Sequence, residues 1–278
     1  MDGILIVDKP INKTSFDIIR DVRKKYNTKK VGHIGTLDPL ATGVLPVLIG
    51  SATKLSNYLM EHDKEYISTL KLGFKTDTAD SEGNIIDTKS VNNNIYENDN
   101  QLIINTLNFF LGKSTQIPPM YSAIKVNGKK LYELARKGKT IERNPRTVFI
   151  HSIELISCNT AENEITFKVT CSKGTYIRTL CEDIAIKLGT CGYMKSLRRT
   201  RVGSFSIEDS NKFIELENIF TDIPKINIED YQELENGMHI PIPNEFHDYT
   251  GFINLYHNNS YIGIGISKNN YFKRFILI

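Results

Sequence analysis

Gly32-His33-Ile34-Gly35-Thr36-Leu37-Asp38-Pro39-Leu40-Ala41-Thr42-Gly43 places one carboxylate, Asp38, on a loop punctuated by three glycines and a proline. Apolar runs bracket it: Val44-Leu45-Pro46-Val47-Leu48-Ile49 follows, and Gly3-Ile4-Leu5-Ile6-Val7 lies upstream. Glycine lets backbone approach a ligand closely, and proline stiffens the turn that carries the acid. A side chain held on a stiff loop over a buried sheet is well placed for chemistry. Asp before Pro is also a common turn former, so this stretch read alone favours an ordinary turn. The rest of the chain decides between the two.

The 278 residues suit one large domain, or one domain with a small module. A hydrophobic fraction of 40% with 24% charged residues describes an ordinary globular protein. No apolar run is long enough to span a bilayer, which argues against a membrane partner. Met1-Asp2-Gly3 lacks the positive region of a signal peptide, so a cytoplasmic location is expected. The four cysteines, Cys158, Cys171, Cys181 and Cys191, are 13, 10 and 10 residues apart and match no zinc pattern. They read as reduced thiols, and no metal is expected.

A net charge of +3 does not by itself name a polyanionic partner. Local clustering says more. Arg20-Asp21-Val22-Arg23-Lys24-Lys25, Lys29-Lys30, Lys129-Lys130, Arg136-Lys137 and Arg198-Arg199-Thr200-Arg201 are basic, while acid gathers after Glu215. That separation suits a basic groove for phosphates, although any single run taken alone is a solvated face.

Strands and helices alternate through the first third. Ile4–Val7 is a continuous apolar run, as in a fully buried strand. Thr14-Ser15-Phe16-Asp17 reads as a capping box, followed by Phe16, Ile19, Val22 and Tyr26 at helical spacing. Short helices are expected over Thr53–Leu59, Gln101–Leu111 and Leu131–Lys137, and a longer one from Ile177 to Gly189. Strands are expected over Tyr66–Leu72, Ile150–Ile156, Glu164–Cys171 and most of Tyr193–Ile207. Val126-Asn127-Gly128-Lys129 is a two-residue turn signal. Beyond about residue 225, short apolar runs alternate with turns, which reads as a small all-β module. The expected division is therefore residues 1–225 and 226–278.

The stretch from Gly32 to Gly50 closely resembles the catalytic motif of the bacterial tRNA pseudouridine-55 synthases. Further matches follow in the family's order: Asp8-Lys9-Pro10, Lys64-Glu65-Tyr66, Pro119-Met120-Tyr121-Ser122-Ala123-Ile124-Lys125, Ser172-Lys173-Gly174-Thr175-Tyr176-Ile177-Arg178-Thr179 and Leu197-Arg198-Arg199. Each motif alone is weak, but together, in register over roughly residues 1–206, they are specific. The resemblance implies an α+β pseudouridine-synthase fold with a mixed, largely antiparallel sheet flanked by helices, and a PUA-like RNA-binding module at the C-terminus. It implies isomerisation of the uridine at position 55, in the T-arm of tRNA, by base flipping, with no cofactor and no obligatory protein partner.

The resemblance also assigns residues. Asp38 matches the essential catalytic aspartate and Arg178 its ion-pair partner. Tyr66 matches the tyrosine that stacks on the flipped uracil and is a candidate general base. His33 matches the histidine that enters the tRNA arm. Lys9, Lys125 and Tyr176 carry over as active-site wall and RNA contacts, Leu197 as packing under the uracil, and Arg198 and Arg199 as RNA contacts. Lys9, Lys125, Lys129, Lys130, Arg198, Arg199 and Arg201 are together expected to line one phosphate groove. The segment after residue 225 is expected to be an accessory, because Asp38, Tyr66 and Arg178 all precede it.

Two other classes compete. A non-catalytic RNA-binding protein would have the basic patches but no use for Asp38 with Arg178. A glycosidase normally needs two catalytic carboxylates. Asp77 and Asp80 offer a second acid, but nearby Gly83 assigns them to a turn.

Overall fold

Residues 1–126 and 128–278 are described by a computed structural model. The buried run at the start forms strand β1 (Gly3–Lys9), and its alternate side chains go to opposite faces. Leu5 enters one core with Ile18, Ile19 and Val22 of helix α1 (Ser15–Lys25), while Ile4 and Ile6 enter a second core. Strands β2 (Val31–His33), β3 (Thr42–Ile49) and β4 (Lys64–Leu72) follow. The main sheet runs in the order Phe213–Glu215, β1, β3, Gly192–Val202, β4, Glu164–Cys171, Arg146–Asn159, Gly112–Gln116. Gly192–Val202 runs parallel to β3, and the other neighbours on this path are antiparallel. The mixed, largely antiparallel sheet with flanking helices is therefore present.

That one parallel pairing positions the site. It sets Arg198 opposite Thr42 and Arg199 opposite Gly43, so the strand carrying the late basic motif lies directly beside the end of the Asp38 loop. Across its other edge, Leu197 faces Ser68 and Arg199 faces Tyr66. Gly43 has φ +105°, and a Cβ there would meet the Arg199 carbonyl oxygen at 2.1 Å, so only glycine fits.

Several elements differ from the sequence reading. Thr53–Leu59 divides into a 3₁₀ segment, Gly50–Leu55, and one helical turn, Ser56–Leu59. The Ile150–Ile156 strand extends to Arg146–Asn159, and the Leu131–Lys137 helix shortens to Leu131–Ala135. The turn at Val126-Asn127-Gly128-Lys129 falls partly outside the described residues; its flanks pair, Lys125 with Lys130 and Val126 with Lys129. The capping box of α1 forms between Thr14 and Asp17. Phe16, however, is not on the buried stripe: it is 59% exposed, and Ser15, Ile18, Ile19 and Val22 face the core instead. The four cysteines are free thiols. No helix among the described residues is long and apolar enough to cross a membrane.

The C-terminal module is a second sheet, ordered Lys225–Ile228, Gly251–His257, Ser260–Lys268, Tyr271–Leu277, Ile240–Pro241, with a short helix at Tyr231–Glu235. It is not a separate bead. Ile264 and Ile276 lie in the same buried cluster as Ile4, Val44, Leu48, Leu55 and Leu59. Phe252 and Phe275 pack edge-on or tilted around Tyr58, with ring centroids 4.7 and 5.5 Å from it.

Candidate active site

Asp38 ends up on a loop tied down from three sides. Ser15 Oγ donates to the Leu37 carbonyl at 3.1 Å and accepts from the Leu37 amide at 2.9 Å. The Asn12 amide donates to the Pro39 carbonyl at 3.0 Å. Lys9 Nζ donates to the Pro39 carbonyl at 3.2 Å, and also to the carbonyls of Lys13 and Pro10 at 2.6 and 3.0 Å. The carboxylate itself stays 37% exposed. A partly exposed acid on an immobile loop is what a group that must touch a substrate requires.

Arg178 lies in the first turn of the Ile177–Lys187 helix and is buried. Its Nη2 is 3.1 Å from Asp38 Oδ2 and donates to the Tyr121 carbonyl at 2.7 Å. Its Nη1 is 3.6 Å from Asp80 Oδ2 and donates to the Thr78 carbonyl at 3.3 Å. The entry to this helix is fixed by a two-way clasp: Gln116 Nε2 donates to the Tyr176 carbonyl at 3.0 Å, and the Tyr176 amide donates to Gln116 Oε1 at 2.8 Å. Tyr176 therefore stands at the helix entrance, half-buried, and burial raises its phenol pKa.

Asp80, which the sequence reading set aside, is brought to Arg178 by the structure. It does belong to a turn, as Gly83 suggested, but its side chain is buried and faces Arg178. Its Oδ1 accepts from Thr78 Oγ1 at 2.5 Å and from the Glu82 amide at 3.1 Å. Burial raises its pKa, and the hydrogen bonds and Arg178 oppose the rise. What brings it inward is a bridge between Asp80 and Met194 of the Gly192–Val202 strand, with Ala79 in the left-handed region at φ +61°. Neither is visible in the residue pattern.

Tyr66 lies on β4 beside Arg199, partly buried against the main core. Burial pushes its phenol up to about 12, with the Arg199 guanidinium pulling the other way, so the resting side chain is neutral. Arg199 is 1% exposed, donating through Nε to the Val44 carbonyl at 2.7 Å and through Nη2 to the Gly35 carbonyl at 3.0 Å. His33 is half-buried, with an unpartnered Nδ1, and burial lowers its pKa with help from Arg199. Leu197 is buried in the main core.

The single phosphate groove needs correction. Lys9 and Arg199 are fully buried, Lys9 bonded to three backbone carbonyls and Arg199 to two, so both act as internal struts of the Asp38 loop and not as phosphate contacts. Arg198 pairs with Asp8 through bonds of 2.8 and 3.2 Å, and Arg201 lies 3.8 Å from Glu65. Lys125 and Lys129 are exposed.

Residues 23–177 match the model of the TruB family pseudouridylate synthase N-terminal domain, and residues 178–233 match the tRNA pseudouridylate synthase B C-terminal domain. The chain belongs to the TruB family of pseudouridylate synthases. It is 43% identical to a tRNA pseudouridine synthase B of Clostridium kluyveri over 291 residues, covering 98% of each chain. It is 46% identical to the Clostridium tetani protein of the same name, covering 88% of this chain and 77% of the relative. Among solved structures, the fold superposes on a Cbf5-Nop10-Gar1 complex with a TM-score of 0.64 at 24% identity, covering 95% of this chain and 78% of that one. As a TruB-family member the chain is an enzyme, and Asp38, Arg178, Asp80 and Tyr66 form the one constellation described above that joins an accessible acid to buried supporting charges.

Proposed function

We propose that this TruB-family enzyme converts a uridine in the T-arm of tRNA, at position 55, to pseudouridine, with Asp38 as the group that acts on the sugar or base. The observation that carries this reading is the Asp38–Arg178 pair: an accessible carboxylate held 3.1 Å from a buried guanidinium. The tRNA substrate is supported by the names of the relatives, and the position by the resemblance of the Gly32–Gly50 motif.

The reaction breaks the N1–C1′ bond, rotates the base and joins C5 to C1′. The proton leaves C5 and N1 gains one, so the change is an isomerisation without external reductant or oxidant. Flipping the uridine out of its stack costs a few kcal/mol, offset by contacts in the pocket. Arg178 holds the Asp38 carboxylate in place through a charge-assisted contact. The Tyr66 ring offers a stacking face worth about 1–3 kcal/mol. Its neutral phenol takes up a proton at oxygen only as it passes its own on, which makes it a relay rather than a resting tyrosinate. His33, Tyr176 and Leu197 line the entrance and floor, and Lys125 faces the RNA.

Incubation of the purified chain alone with an unmodified tRNA transcript, followed by pseudouridine mapping, tests the reading. Product confined to the T-arm uridine is expected, with none when that uridine is replaced by cytidine. Product elsewhere in the transcript would remove the position, and a requirement for added protein would remove the partner-free reading.

A further inference from the structure

The segment that contains helix α1 carries more net positive charge than the whole chain. Between Ile11 and Lys30 lie seven basic and two acidic side chains, against a net +3 for all 278 residues. Both acids are already paired: Asp17 with Arg20, and Asp21 with Lys13 at 2.7 Å. Arg23, Lys24, Lys25, Lys29 and Lys30 have no ion-pair partner among the described residues; Arg23 is half-buried, with its Nε covered. Phe16 projects from the same face, and the guanidinium carbons of Arg20 and Arg23 each lie 6.0 Å from its ring centroid. Residues 16, 20 and 23 are spaced i, i+4 and i+7, so they form one outward stripe opposite Ile18, Ile19 and Val22. An exposed aromatic flanked by arginines is the composition of a surface that takes an unstacked base together with its phosphates.

The stripe is rigidly joined to the catalytic loop. The pair of hydrogen bonds between Ser15 and Leu37 fixes the first turn of α1 next to Asp38, and the capping box between Thr14 and Asp17 fixes where the helix begins. The helix that carries this face is thus fixed relative to the loop where the target uridine would sit.

We propose that the outward face of α1, Phe16 with Arg20 and Arg23, is an RNA-contact surface that engages tRNA nucleotides outside the flipped-uridine pocket. It rests on the tRNA reading above. Polyanionic RNA is favoured over a protein partner because Arg23, Lys24, Lys25, Lys29 and Lys30 gather in one short segment without ion-pair partners among the described residues, beside an exposed aromatic ring. A face that served an acidic protein instead would leave tRNA affinity at the wild-type level when these residues are substituted.

The test measures the affinity of an unmodified tRNA transcript for wild type, Phe16→Ala and the double variant Arg20→Gln/Arg23→Gln across a salt series, with the single-turnover rate at saturating enzyme. The double variant is expected to weaken binding and to flatten the salt slope by up to about two units. Phe16→Ala is expected to weaken binding between about fivefold and a hundredfold with the slope unchanged, because stacking releases no counterions. Saturated rates should stay at the wild-type level. If the double variant loses its fold, Phe16→Ala, which removes only an exposed ring, carries the test. Wild-type affinity in the variants, with wild type active on tRNA, overturns the surface and leaves the tRNA reading intact. Lost affinity in the variants, with wild type forming no pseudouridine, overturns the tRNA reading and leaves the surface.

Discussion

Arg199 donates to the Gly35 carbonyl at 3.0 Å, so a side chain from a late strand of the sheet holds the loop that carries Asp38. The same guanidinium reaches the Val44 carbonyl at 2.7 Å and lies beside the Tyr66 phenol. Loop and tyrosine are thus braced by one buried cation that does not face solvent. Arg199→Lys keeps the charge but loses the planar fork. It is expected to lower the rate by about tenfold to a hundredfold, as small misplacements in active sites do, and to leave the salt dependence of tRNA affinity unchanged. A flattened salt slope would return Arg199 to the role of phosphate contact.

The two carboxylates on Arg178 differ in exposure, and their substitutions should differ in effect. Asp80 is buried, so Arg178→Ala leaves an uncompensated acid inside the protein. A stability loss of about 3–5 kcal/mol by chemical denaturation is expected. Asp80→Asn keeps size and the bond from Thr78 but weakens the hold on Arg178. Its rate should fall by about a factor of ten to a hundred, with tRNA affinity kept. A wild-type rate in Asp80→Asn would make Asp80 a fold residue only.

Tyr66 gives a pH test. With the phenol pushed up to about 12, the group stays protonated across the working range. A mechanism that needed resting tyrosinate would accelerate about tenfold per pH unit between pH 7 and 10, because that is how the ionised fraction grows. A relay role instead gives no rise attributable to Tyr66 over that span. Tyr66→Phe should still bind tRNA while its rate falls by about a hundredfold or more. A near-normal rate in Tyr66→Phe would leave only the stacking role.

Much of this fold was legible because its signals are local. The Ile4–Val7 run, the Thr14 capping box and the alternation of Glu164–Cys171 each declare an element by periodicity or by a cap. The Asp38 loop announces itself by glycine and proline. What was not legible depends on contacts between distant segments. Lys9 and Arg199 look like surface cations, yet the parallel pairing of Arg199 with Gly43 and the converging carbonyls around Lys9 bury both. Phe16 looks like a core residue at helical spacing, yet the stripe set by Ile18, Ile19 and Val22 turns it outward. Asp80 enters the site only through its bridge to Met194, residues 114 apart in sequence.

The C-terminal module shows the same limit. Read as an accessory, it should be removable. Its Ile264 and Ile276 instead complete the core that contains Leu55 and Leu59. A fragment ending at residue 225 is expected to expose this face and to aggregate or melt well below the full chain, and Ile264→Ala to cost about 2–5 kcal/mol. A cooperative melt of the fragment at the full-chain temperature would show that the two parts fold independently.

Asp38→Asn preserves the size of the side chain and removes the charge that Arg178 holds. The deciding measurement pairs tRNA affinity with pseudouridine mapped at the T-arm uridine, for wild type and for this variant. Affinity within a fewfold of wild type is expected, with product at least about a thousandfold slower. Product formed by Asp38→Asn at a comparable rate would contradict the central role of Asp38.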